Sequence, residues 1–131
     1  MATPKRPLSP FMIGPYYRPQ ITSMMSIAHR GTGVLVALGA FGLAWWLLAA
    51  SLGGEAYAAF LTCAASPLGK GLLFLVSAAL IYHFLNGLRH LLWDAGWGFE
   101  LPRVYASGYV VLALTVLLTA GLWWLALGGA A

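Results

Sequence analysis

From Gly31 to Leu52 the chain carries no charged residue, and that gap limits its folding more than any other feature. A bilayer core demands a helix of ~20 mostly apolar residues, and only segments that satisfy their own backbone hydrogen bonds survive there. Two further mostly apolar runs, about Pro67 to Asp94 and Val104 to Leu127, are also long enough to span, the first with its charges, Lys70, Arg89 and Asp94, confined to its ends. Composition agrees, because 61% of the 131 residues are hydrophobic and 8% charged. A soluble domain carries ~25% charged residues, so this chain cannot coat a globular surface. The reading is an all-α integral membrane protein with three transmembrane helices.

The segments follow in order. Residues 1–20, rich in proline and bearing Lys5, Arg6 and Arg18, read as an extended arm with no helical period. Transmembrane helix 1 covers 21–52, with Thr22 or Ser23 able to cap it. An external loop at 53–66 begins with Gly53-Gly54, and its Ala56 to Ala65 stretch is too short to span. Helix 2 covers 67–94, with Pro67 suited to a first turn. A cytoplasmic turn at 95–103 and helix 3 at 104–128 complete the chain.

Basic residues near span ends set orientation. With the N-terminus cytoplasmic and the C-terminus periplasmic, Lys5, Arg6, Arg18, Arg30, Arg89 and Arg103 lie inside and Lys70 alone outside. The net charge of +4 is thus spent on topology, and no basic cluster is dense enough to track nucleic acid. Cys63 is the only cysteine, which excludes a disulfide framework and a thiolate metal site. No signal core or amphipathic transit segment is apparent, which favours the bacterial inner (cytoplasmic) membrane over the mitochondrial one.

Against this apolar background the stretch Tyr82 to Asp94, YHFLNGLRHLLWD, stands out. Ionisable groups at membrane depth are expensive and mark functional sites. At about 100° per residue, His83, Gly87, His90 and Asp94 share one helical stripe. In helix 1, Ser26, Arg30 and Gly33 form another, with His29 beside it. The topology brings both stripes to one membrane level, with His83 roughly 10 Å deeper than His90. A histidine with a glycine one turn away leaves a gap for a flat group such as a haem, with cationic groups nearer the surface for its propionates. The competing reading is an imidazole bonded to a neighbouring backbone carbonyl.

The sequence also resembles a known family. RPLSP near the start, S-x-x-H-R-x-T at Ser26 to Thr32, and H-x-x-x-G-L-R-H-L-x-W-D at His83 to Asp94 are similar to the cytochrome b subunit of succinate dehydrogenase. That subunit is the large membrane anchor of respiratory complex II. The resemblance implies that His83 is one axial ligand of haem b, the second coming from a companion small membrane-anchor subunit that completes a haem-holding bundle. Ser26 and Arg30 match the family's ubiquinone-binding positions, and His29, Arg30 and His90 would lie near the haem propionates. An iron-sulfur subunit and a flavoprotein subunit are the implied soluble partners. Where the family often reads SPH in the arm, this chain has Phe11. It has no Gly-rich flavin fold and no cysteine set for iron-sulfur clusters, so succinate chemistry would lie on other subunits. Two rivals remain: a haem-free scaffold anchor, and a small transporter or channel subunit. The latter predicts inverted repeats or broken spans, and the sequence shows neither.

Overall fold

A computed structural model describes residues 18–128, so nearly all of the expected arm, including RPLSP and Phe11, lies outside the described residues. Four helices occur in order: α1 (Ile21–Leu52), α2 (Gly54–Ala65), α3 (Pro67–Asp94) and α4 (Leu101–Gly128). No strand occurs among the described residues. Helices α1, α3 and α4 are each long and apolar enough to cross a membrane. At 1.5 Å per residue α1 is roughly 48 Å long, exceeding a ~30 Å hydrocarbon core, so it tilts or reaches the headgroups.

Several ends differ from the sequence expectation, each for a local reason. Gln20 rather than Thr22 or Ser23 caps α1, because the helix already begins at Ile21. Ser23 instead reaches back, its hydroxyl accepting from the Gln20 N–H at 3.2 Å. The expected loop at 53–66 is helical over Gly54–Ala65. Its alanines favour helix, and no proline interrupts them before Pro67. Gly53, at φ +64°, ends α1 and lets the next helix start at once. Ser66 then caps α3, accepting from the Gly69 N–H at 3.0 Å, while Pro67 fills the first turn without needing its absent N–H. Helix α4 begins at Leu101 rather than at residue 104, because Pro102 is compatible with a first turn.

Helix α3 is central, with α1 and α4 on its flanks and a smaller contact between those two. The buried apolar cluster is Met25, Tyr82 and Val111, with Ile21 and Leu85 against it. The buried Tyr82 hydroxyl donates to the Met25 carbonyl at 2.9 Å, fixing α3 against α1. Towards the other end, Trp123 Nε1 donates to Ser77 Oγ at 3.0 Å and the Trp123 ring meets Phe74 edge-on. Most large apolar side chains of the three spans are exposed, as lipid-facing or partner-facing helices require.

Candidate functional site

The polar ends of α1 and α3 meet, and there the three histidines form a column. The His29 and His83 rings stack with centroids 4.0 Å apart and 4° between planes. His29 also stacks on His90, at 4.9 Å and 18°. Helical periodicity placed His83 and His90 on one stripe of α3, and α1 supplies the ring that fills the space between them.

Hydrogen bonds orient two of the rings. His83 Nδ1 lies 3.1 Å from the His29 carbonyl oxygen. A carbonyl can only accept, so Nδ1 carries a proton, and in the neutral ring Nε2 is the lone-pair nitrogen. Thr32 reinforces this spot: its hydroxyl donates to the same carbonyl at 3.0 Å and lies 3.4 Å from His83 Nδ1. His90 Nδ1 donates to the Asn86 carbonyl at 2.7 Å, leaving its Nε2 as the acceptor nitrogen too. A carbonyl on one imidazole nitrogen is the arrangement that orients a metal-ligating histidine. It also serves a histidine that is merely buried. His83 and His90 are therefore prepared alike, and depth along α3 distinguishes them.

Close packing shapes the column. A Cβ on Gly33 would lie 3.1 Å from His83 Cε1, so glycine lets the ring lie close against α1 and a side chain there would make it shift. A Cβ on Gly87 would meet nothing within 4 Å, so the backbone of α3 is open one turn from His83. His29 Nδ1 is buried without a hydrogen-bond partner. Among the described residues no group of three His, Cys, Asp or Glu side chains converges to hold a metal ion.

Ser26 and Arg30 share a face of α1, as their i,i+4 spacing requires. Ser26 is half-buried and Arg30 exposed. Neither side chain makes a hydrogen bond or ion pair to a described residue, so both are free to bind a ligand. Asp94 stands exposed at the end of α3 and pairs with no described arginine or backbone amide.

The sequence reading assigned no site role to Arg89 beyond topology, yet this side chain is only 5% exposed. Its Nε donates to Ser107 Oγ at 2.9 Å and its Nη2 to the Val104 carbonyl at 2.8 Å. Its Nη1 lies 3.4 Å from Asn86 Oδ1, and the guanidinium carbon sits 4.1 Å above the Trp93 ring. Gly108 lies alongside, where a Cβ would be in ordinary contact with Nη2 at 3.7 Å and tight only against Met25 Sδ at 3.0 Å. The available signal was the spacing of Tyr82, Asn86, Arg89 and Trp93, which share a stripe of α3 beside that of the histidines.

Comparison with known proteins adds a separate line of support. Residues 2–122 match the model of the family described as succinate dehydrogenase/fumarate reductase transmembrane subunit. The succinate dehydrogenase cytochrome b556 subunit of Rickettsia felis is 41% identical over 119 residues, covering 91% of each chain. That of Rickettsia prowazekii is 39% identical over the same coverage. The mitochondrial succinate dehydrogenase cytochrome b560 subunit of Homo sapiens is 40% identical over 121 residues, covering 89% of this chain and 69% of the relative.

Proposed function

Because the chain belongs to the family of succinate dehydrogenase/fumarate reductase transmembrane subunits, we propose that it is a complex II anchor that co-ligates haem b and helps form the ubiquinone-reduction site. The observation that carries this reading is the histidine column, with His83 Nδ1 held on a backbone carbonyl and Nε2 left for a metal. The residues present fit a haem: open space fronts Gly87 one turn from His83, and the orphaned His29 Nδ1 can meet an acidic edge. The names of the Rickettsia and human relatives, cytochromes b, support the same cofactor.

In this reading His83 would hold the haem iron together with a residue of a companion small membrane-anchor subunit. His29, Arg30 and His90 face the propionates. When bound, the haem supplies a one-electron carrier, and the chain's own residues orient it and exclude water. Arg30 and Ser26 hold ubiquinone at the same membrane level: the guanidinium favours negative charge as the ring takes electrons, and the hydroxyl donates a hydrogen bond. Electrons arrive from the iron-sulfur subunit after a flavoprotein subunit oxidises the dicarboxylate. The reading places the chain in a bacterial inner membrane, and the basic residues near the span ends support a cytoplasmic N-terminus and a periplasmic C-terminus.

The test uses the complex purified with its partner subunits. A reduced-minus-oxidised spectrum is expected to show a b-type band that His83→Ala abolishes and His90→Ala retains. Survival of the band in His83→Ala sinks the ligand assignment. The haem-free scaffold has the His83–His29 bond equally in its favour, and it predicts no band in the unaltered complex. Ser26→Ala and Arg30→Ala are expected to cut succinate-to-quinone activity by roughly 10- to 100-fold, the loss of one or two charge-assisted contacts. Electron delivery to a soluble dye should persist, and parallel loss of both activities refutes the quinone role.

A further inference from the structure

Arg89 is the one buried cation among the described residues, and every donor it uses ends on a neutral group: Ser107 Oγ, the Val104 carbonyl, Asn86 Oδ1 and the Trp93 face. No described carboxylate pairs with it. Asp94 and Glu100 are exposed, Glu100 lies 3.6 Å from Arg103, and Glu55 is on α2. A guanidinium remains protonated in a protein. Burying one without a counter-ion is costly, and such groups inside apolar spans are functional by default. Pinning α3 to α4 needs only hydrogen bonds, which a neutral donor can make. The charge itself is surplus to that task.

Two contacts link this charge to the histidine column. Trp93, beneath the guanidinium, meets the His90 ring at 5.2 Å and 67°. Asn86 faces both ways: its side-chain oxygen accepts from Arg89 and its backbone oxygen from His90. Arg89 is adjacent to His90 in the chain and lies roughly 9 Å from His83 along the helix axis. Over that distance a charge in poorly solvated surroundings is only weakly screened.

We propose that Arg89 is a fixed positive charge that raises the reduction tendency of the haem assigned above to His83. The inference rests on that haem reading. Reduction of a haem held there would take one electron from the iron-sulfur subunit with no bond made or broken, and the nearby cation would favour the reduced state. Arg89 touches none of the reacting atoms and acts through the field.

Redox potentiometry of the intact complex in membranes, following the b-type band against mediator potential, tests this. Arg89→Gln is expected to lower the midpoint. Because that change also loosens the junction of α3 and α4, Ser107→Asp is the second variant. It places a carboxylate at the Nε contact, keeping the guanidinium while cancelling its charge. Ser107→Ala removes the hydroxyl and keeps the charge. The midpoint should fall in Arg89→Gln and Ser107→Asp and stay at the wild-type value in Ser107→Ala. A Ser107→Asp complex with haem bound and an unchanged midpoint overturns the inference and leaves His83 ligation standing. Loss of haem from both Arg89→Gln and Ser107→Asp, with Ser107→Ala normal, makes Arg89 an assembly residue and also overturns it. An unaltered complex without a b-type band removes the haem reading and this inference together.

Discussion

A single hydrogen atom in place of a side chain at Gly33 lets His83 lie against α1. Gly33→Val should push the ring away, at an overpacking cost of about 1–3 kcal/mol. The expected result is reduced haem content or a shifted b-type band in the purified complex. Gly31→Val provides the control, since a Cβ at Gly31 meets nothing within 4 Å; equal damage from both makes the effect one of helix propensity, not of contact. Residues such as His29, His83 and Gly33 were legible in the sequence because helical spacing alone fixes their faces. Arg89 was not. Whether an arginine snorkels or turns inward depends on Ser107 and Val104, which belong to another helix and reach it only through the fold.

The three spans are held by sparse contacts at defined points. Deep in the bundle, a Cβ on Gly39 of α1 would come within 2.6 Å of Val76 Cγ1 on α3, so the two backbones approach closely there. Gly39→Leu is expected to separate them and destabilise the subunit by about 1–3 kcal/mol, read as a lower thermal midpoint for the complex. An unchanged midpoint would show that the helices slide to accommodate the bulk. The long helices were legible from charge-free runs that only a membrane span explains. Helix α2 was not, because a short alanine-rich segment lacks the length that identifies a span, and its helicity emerges between the Gly53 turn and the Ser66 cap. The early start of α4 was hidden for the opposite reason: Pro102 reads as a terminator, although a first turn tolerates it.

For the whole molecule, orientation follows from the distribution of basic residues, and Cys63 offers a direct check. The thiol is exposed on α2, between the first two spans. With the N-terminus inside, a membrane-impermeant maleimide added to intact cells should label Cys63, and Cys63→Ser should abolish the labelling. Labelling confined to inverted vesicles reverses the topology. Which face of each span meets a partner and which meets lipid was not legible, because both are apolar. The polar end was, because its residues are the exceptions. Met25, Tyr82, Asn86, Arg89 and Gly108 are buried together near that end, whereas Leu117 and Leu125 are exposed along α4. Inheritance therefore weighs the two regions differently. Exchanging one aliphatic for another at Leu117 or Leu125 swaps oil for oil, while a codon change at Arg89 or Tyr82 severs a bond. Drift is therefore cheap at the outward-facing leucines and dear at the polar end.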